Sequence, residues 1–316
     1  MISGDDNHAS PESAQASSRS SLTIAGGSGR GVAVPKIIRK VSLGRRAFSI
    51  AGWALTSLGV GLMVLLVGSI LWTVFVGGWS AMSPSLFTTV TQGTGGGLLN
   101  AIEGTAVLSV GALLLAVPLG VAAGVYVAEY RYSRWARAIR FVADVLVGVP
   151  SIVLGYFGYV TMVEGLGWNF SVAAGCIVLA VMCLPYITRS TEFALGELPD
   201  ALREAAYALG MSERRVILRV CLPAAMPGVL TGVMLALAIS VGETAPLLYT
   251  AGWSNYMWDG HLTHSPIGFL TYAIWTFYSE PFSSAVALAY AAAFLVTAFV
   301  FIINILSRYI MTRERI

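Results

Sequence analysis

Long uninterrupted runs of apolar residues dominate the chain. The first run, from Ala47 to Val76, contains no charged residue. An α-helix rises about 1.5 Å per residue, so about 20 residues cross the hydrocarbon layer of a bilayer. Five further runs are long enough, and Asp144 is the only charge in them: 104–127, 141–163, 168–188, 222–241 and 282–307. The pattern predicts an all-α integral membrane protein with six transmembrane helices.

The distribution of basic residues predicts the orientation of these spans. All 19 Lys and Arg residues lie before the first span, in segments 129–140 and 189–221, or after the last span. Segments 77–103, 164–167 and 242–281 contain none. Because cytoplasmic loops are enriched in Lys and Arg, the N-terminus and the C-terminus are both predicted to be cytoplasmic (N-in, C-in).

Composition supports the membrane assignment. Charged residues make up 11% of the chain, whereas soluble proteins carry about 25%. This excludes a soluble globular protein, a secreted disulfide-stabilised protein and a nucleic-acid-binding protein. The three cysteines, Cys176, Cys183 and Cys221, are too widely spaced to predict a disulfide framework. His261 and His264 lack a third ligand, so no metal site is predicted.

Three segments are predicted along the chain. Residues 1–40 are rich in Ser, Gly and Ala, which predicts a disordered cytoplasmic tail. Residues 41–308 form the six-helix transmembrane domain, which includes the polar segment 189–221. Residues 309–316 form a cytoplasmic C-terminal tail.

Segment 189–221 is the longest polar stretch between spans, and it predicts two short helices with a bend. Pro199 and Asp200 indicate a helix start with Asp200 as the N-cap, and Gly210 indicates its end. Ser212 is suited to cap the second helix. Four apolar residues of the first helix are expected to share one side: Leu202, Ala205, Ala206 and Leu209.

A motif with fixed spacing lies in this segment. Glu204-Ala205-Ala206 is followed after three residues by Gly210, and after nine more by Val220 and then Leu222-Pro223. This resembles the EAA loop of bacterial ABC importer permeases, which has Ile at the position of Val220. The motif also lies between the fourth and fifth predicted spans, as in that family. The resemblance implies a type I ABC importer permease fold.

Four stretches are similar, within that family, to phosphate importer permeases of the PstA type: 119–130, 140–155, 202–210 and 242–251. The resemblance implies ATP-driven translocation of inorganic phosphate across the bacterial inner membrane. A permease for another oxyanion, such as sulfate or molybdate, is the main alternative. A secondary transporter is disfavoured because no internal repeat is evident. An intramembrane enzyme would need a catalytic constellation, and none is present.

The same resemblance implies the partners. They are a second homologous permease chain of the PstC type, an ATPase dimer of the PstB type and an extracytoplasmic phosphate-binding protein of the PstS type, with membrane lipid around the spans. The chain has no Walker A motif. It is therefore not expected to be an enzyme or to bind a cofactor itself, and ATP and Mg²⁺ are expected in the partner ATPase.

The family positions also imply candidate site residues. Glu204, Ala205, Ala206 and Gly210 are the candidates for contact with the ATPase. Small Ala residues permit close approach, and the Glu204 carboxylate is able to make a charge-assisted hydrogen bond.

The candidates for the substrate pathway are Arg189, Glu192 and Ser240. An Arg is suited to phosphate because its planar guanidinium bonds two oxygens at once. The alternative for Arg189 is an ordinary inner-side Arg that forms an ion pair with Glu192, one helical turn away. Ser240 stands where some members of the family have an Arg, so it offers a hydroxyl but no charge.

Four residues are candidates for a gate or an inter-subunit contact. Gly242, Glu243 and Thr244 follow the fifth predicted span. Asp144 is an acidic residue inside the third span, where an ionisable group is a functional candidate by default. Pairing of Asp144 with Arg140 or Arg189 is the structural alternative.

Overall fold

The computed structural model describes residues 43–313, so the predicted tail 1–40 lies outside the described residues. In this range the chain is mostly helical, with one two-stranded antiparallel hairpin of β1 (Thr91–Gln92) and β2 (Gly95–Gly96). The α-helices are α1 (Leu43–Ala81), α2 (Leu99–Glu129), α3 (Arg134–Gly148), α4 (Ser151–Gly158), α5 (Val172–Gly196), α6 (Asp200–Ala208), α7 (Glu213–Val216), α8 (Leu222–Gly242), α9 (Ala245–Thr250), α10 (Leu270–Tyr278) and α11 (Ser283–Arg313).

The chain divides into two compact units. The described part of the first is the stretch of α1 up to Val60, whose large apolar side chains are exposed. The second unit begins at Gly61 and contains every other element. In it, Gly77 and Gly78 let the end of α1 lie close to Tyr290 and Phe294 of α11.

Five helices of the described chain are long and apolar enough to cross a membrane: α1, α2, α5, the stretch Glu213–Gly242 that contains α7 and α8, and α11. The sixth predicted span is broken. Its arms, Arg134–Gly148 and Ser151–Gly165, meet at an angle of 102°. A continuous helix over 141–163 is therefore the wrong description, and the count is six when the bent pair is taken as one span.

The break occurs at Pro150, for reasons of backbone chemistry. Proline has no N–H to continue the helical hydrogen bonds, and its ring forces the preceding residue out of the helical region. Val149 accordingly has φ −78° and ψ 127°, an extended conformation. The second arm ends in a π-helical segment, Tyr159–Gly165.

Helix α5 is the most buried of the five long helices, and it packs between α2 and α8. Both contacts depend on glycine. A Cβ on Gly124 of α2 would lie 2.5 Å from the Cβ of Thr191, and one on Gly228 of α8 would lie 2.5 Å from the Cβ of Ala194. Small residues thus let both neighbours approach the backbone of α5 closely.

The connections 77–103 and 242–281 contain structure that the sequence did not predict. Helices α9 and α10 lie in the second connection, and the hairpin lies in the first. The Gly-rich run 93–97 turns this hairpin, with positive φ angles at Gly93 and Gly96. The two connections meet where Asn100 Nδ2 donates to Ser254 O at 2.8 Å, and nearby Gly104 of α2 lies directly against the backbone of Gly268.

Candidate functional site

The segment between α5 and α8 consists of two short helices, as predicted. Helix α6 starts at Asp200, with Pro199 rather than Asp200 at the N-cap position. It ends at Ala208, and Gly210, two residues further on, has a φ of +74°. The N–H of Gly210 donates to Tyr207 O at 2.9 Å, and the N–H of Met211 donates to Ala206 O at 3.3 Å. This is the Schellman arrangement of a glycine-terminated helix.

The two alanines of the motif point in different directions. Ala206 is buried in a cluster with Leu195, Val216, Cys221 and Ala225. Glu204, Ala205 and Gly210 are exposed. Because Ala205 has a small side chain and Gly210 has none, another protein can come close to the backbone at these two positions.

The four apolar residues that were predicted to share one side of this helix differ in burial. Ala206 is buried and Leu202 is half-buried, but Ala205 and Leu209 are exposed. Leu209 is 82% exposed and lies directly after the last residue of the nine-residue helix. It adds an apolar side chain to the exposed surface of α6.

Sequence reasoning missed the residues that fasten this segment to the spans. Arg203 Nη1 donates to Glu129 Oε1 and to Glu129 Oε2, each at 2.6 Å, and Arg203 Nη2 donates to Leu195 O at 3.1 Å. The hydrogen bond to Glu129 raises the pKa of Arg203, so the guanidinium stays charged. The available signal was the position of Arg203 directly before the motif and of Glu129 at the end of an apolar run.

A second contact joins the same elements. Tyr130 Oη donates to Glu213 Oε1 at 2.9 Å, which links the end of α2 to the start of α7. This hydrogen bond raises the pKa of Tyr130, so the phenol keeps its proton. Both short helices of the segment are therefore connected to the C-terminal end of α2 or to the residue after it.

Four charged residues form a network on α3 and α5. Glu192 accepts from Arg140 Nε at 2.6 Å and from Arg189 Nη1 at 3.1 Å. Arg189 Nη2 donates to Asp144 Oδ1. The two positive and two negative side chains balance. The structure thus brings together three of the candidates, Asp144, Arg189 and Glu192, with Arg140 as a fourth member.

The members of the network differ in exposure. The Asp144 side chain is 62% exposed, whereas that of Glu192 is 15% exposed. Arg140 also donates to Val127 O, near the end of α2, at 3.2 Å and to Arg131 O, in the turn after α2, at 3.1 Å. The Arg140 and Arg189 side chains are 27% and 30% exposed, so Asp144 is the one member of the network that is mostly exposed.

The gate candidates Gly242, Glu243 and Thr244 lie at the C-terminal end of α8, whereas segment 189–221 precedes the start of this helix. Gly242 ends that helix, Glu243 is extended, and Thr244 precedes α9, so the triplet interrupts the helical path. Thr271 Oγ1 donates to the backbone oxygen of Glu243 at 2.7 Å, which ties this triplet to α10.

The two breaks in the helices meet at this point. Helix α4, which follows the break at Pro150, packs against α9, which follows Glu243. A Cβ on Gly155 of α4 would lie 2.5 Å from the Cα of Pro246. The gate candidates thus lie at a joint between short helices.

Ser240 does not face outward. It is 2% exposed, and its Oγ has no hydrogen-bond partner among residues 43–313. It lies beside Ser109, which is also buried and unpartnered, and near Thr105 and Glu243. The structure thus separates Ser240 from Arg189 and places it in the interior of this chain.

The comparisons with known proteins agree with this architecture. The family described as "Binding-protein-dependent transport system inner membrane component" matches residues 117–316. The phosphate transport system permease protein PstA 2 of Mycobacterium bovis is 45% identical over 79% of this chain and 82% of its own length. The PstA protein of Yersinia pestis is 43% identical over 78% of this chain and 84% of its own length.

A solved structure shows the fold. It is a chain of the MetNI methionine ABC transporter in an inward-facing conformation, with a TM-score of 0.55 at 21% identity. The match covers 73% of this chain and 99% of that chain. The expected type I ABC importer permease fold is confirmed.

Proposed function

We propose that this chain, which belongs to the family of binding-protein-dependent transport system inner membrane components, is the permease subunit of an ATP-driven phosphate importer. The identity of 45% with a PstA-type permease, over 79% of the chain, is the observation that carries the substrate assignment. The protein is a multi-pass inner-membrane protein. Cytoplasmic termini remain a prediction from the distribution of Lys and Arg.

The exposed side of α6 is the proposed contact with the ATPase. Glu204 supplies a charge there, Ala205 leaves the backbone accessible, and Tyr207 and Leu209 supply apolar area. Hydrolysis of Mg²⁺-bound ATP takes place in that partner. A second permease chain of the PstC type, an ATPase dimer of the PstB type and a binding protein of the PstS type complete the proposed transporter. Glu204, Ala205 and Gly210 are the residues that we place at the ATPase surface, and Ala206 supports them from the interior.

Phosphate needs positive charge to pass a region of low dielectric constant. Arg189 is the guanidinium that we propose for this role. Its partner Asp144 lies on a different helix and is mostly exposed, so an anion is able to displace it. Glu192 is held by Arg140 as well as by Arg189 and keeps the latter in place. Asp144 thus acts as an exchangeable counter-ion.

Labelled phosphate uptake at low external phosphate tests the proposed function. Cells that lack this chain and have no other active phosphate importer are expected to lose uptake and to regain it with the wild-type chain. Gly210→Asp is expected not to restore it. Its φ of +74° disfavours a side chain, and the added charge lies on the ATPase contact. Sulfate uptake is the control.

The outcomes of this experiment separate the substrate from the transport class. Unchanged phosphate uptake together with loss of sulfate or molybdate uptake would refute the phosphate assignment. Unchanged uptake of all three anions would contradict an oxyanion importer.

The role of Arg189 has its own test. Arg189→Gln is expected to raise the KM for phosphate about tenfold or more, because a charge-assisted hydrogen bond is lost. Asp144→Asn, which removes the counter-ion but keeps the shape, is expected to leave uptake intact or to lower the KM. Initial uptake rates against phosphate concentration measure both variants at matched expression. Equal loss of uptake in the two variants would mean that the pair is structural.

A further inference from the structure

Arg203 is placed to do more than stabilise a loop. It is on α6, immediately before the motif, and its side chain is 21% exposed. One nitrogen binds both carboxylate oxygens of Glu129, whose side chain is 11% exposed. The other terminal nitrogen binds Leu195 O. A guanidinium bound in this way has little freedom to move relative to its partners.

These partners belong to two different membrane helices. Glu129 is the last residue of α2, and Leu195 is next to the last residue of α5. Carbonyls in the last turn of a helix have no helical donor, so Arg203 supplies one to α5. Ala206 and Leu195 are buried in the same apolar cluster, so α6 and α5 also pack against each other beside the hydrogen bonds of Arg203.

Helices α6 and α8 are not joined by one continuous α-helix. After α6 come the glycine turn at Gly210, the four-residue helix α7 and a π-helical segment, Ile217–Cys221. Such turns and π-helical segments bend more easily than a regular α-helix. A displacement of α6 along the chain thus passes through several joints, whereas the Arg203 contacts reach α2 and α5 directly.

On the basis of the proposed function, we propose that Arg203 is a positioning residue. When the ATPase moves α6, Arg203 transmits this movement to α2 and α5. The bond to Glu129 makes α6 move with the end of α2. Because α5 packs closely against both α2 and α8, movement at this point reaches three spans together. Loss of the contact would leave α6 bound to the ATPase but weakly connected to the pathway.

The test is the ratio of phosphate transported to ATP hydrolysed, measured with the complete purified transporter in proteoliposomes. In Arg203→Gln we expect the ATPase to remain bound and active while the ratio falls about tenfold, within the range of known coupling effects. Arg203→Lys keeps the charge but loses the fork, so an intermediate ratio is expected. The double variant Arg203→Glu, Glu129→Arg exchanges the two charges. It is expected to recover part of the wild-type ratio of phosphate transported to ATP hydrolysed. Arg137→Gln, at an exposed position on α3, is the control.

A purely structural role predicts something different. It would lower the amount of assembled transporter and leave the ratio unchanged, and that result would overturn the inference. If Arg203→Gln does not assemble, Arg203→Lys decides the matter by the same ratio. A wild-type transporter that hydrolyses ATP without moving phosphate would instead refute the proposed function, and this inference with it.

Discussion

Gly104→Ala is expected to sharply reduce the amount of folded protein, because α2 and the connection 242–281 leave no room for a side chain there. A Cβ on Gly104 would overlap the backbone oxygen of Gly268 and lie 2.8 Å from Cγ1 of Ile267. The obstacle is backbone, so relief requires the connection to shift. That shift would disturb the hydrogen bond from Leu270 N to Thr105 Oγ1, 2.9 Å long and buried.

The expected size of this effect follows from overpacking in other proteins. Inserting a group into a packed interior costs about 1–3 kcal/mol, occasionally more, and overlap with backbone places Gly104→Ala at the upper end. Thermal unfolding of the purified protein in detergent measures the loss. Gly148→Ala is the matched control, since a Cβ there meets no atom of the described part of the chain within 4 Å. Equal unfolding temperatures for the two variants would contradict the close approach of α2 to this connection.

Glu192→Gln is expected to destabilise the protein and to reduce phosphate uptake together. Glu192 accepts from Arg140 at 2.6 Å and from Arg189 at 3.1 Å. Without its charge, two guanidiniums remain close together with Asp144 as the one remaining acid of the network. The cost should lie between the about 0–1 kcal/mol of an exposed ion pair and the about 3–5 kcal/mol of a broken buried pair.

The design of this experiment separates the network from general charge effects. Glu197→Gln, five residues further on and exposed, removes the same charge without touching an arginine of the network. Glu192→Asp should retain part of the stability because its carboxylate reaches one arginine. The thermal midpoint and the uptake rate are measured for all three variants. A midpoint for Glu192→Gln no lower than for Glu197→Gln would show that the network contributes nothing.

The sequence predicted most of the fold because hydropathy and basic residues carry long-range information in membrane proteins. Five apolar runs became helices at nearly the predicted positions. The third predicted run, 141–163, did not form one continuous helix. Hydropathy indicates how apolar a segment is, but it does not indicate where the helix bends. Pro150 was the local signal for the bend, and it lies inside an otherwise ordinary apolar run.

The candidate site was predictable to the extent that its geometry is local. The pair of Arg189 with Glu192 follows from a separation of three residues on one helix. The bond from Arg140 to the same carboxylate joins residues 52 positions apart, which depends on how α3 packs against α5. The burial of Ser240, by contrast, was not predictable from the sequence. Helix α8 is apolar on nearly all sides, so the sequence did not indicate which face turns inward.

The position of α5 between two glycine-lined neighbours restricts how this chain can change in length. One inserted or deleted residue in α5 would rotate everything beyond it by about 100° around the helix axis. Thr191 and Ala194 would leave the glycines of α2 and α8 at the same time, and Arg189 would turn away from Asp144. Loss of a residue from the stretch of α1 up to Val60 displaces no such contact among the residues that the structure describes. Insertions and deletions are therefore tolerable at the N-terminal side of the domain and incompatible with its central helix.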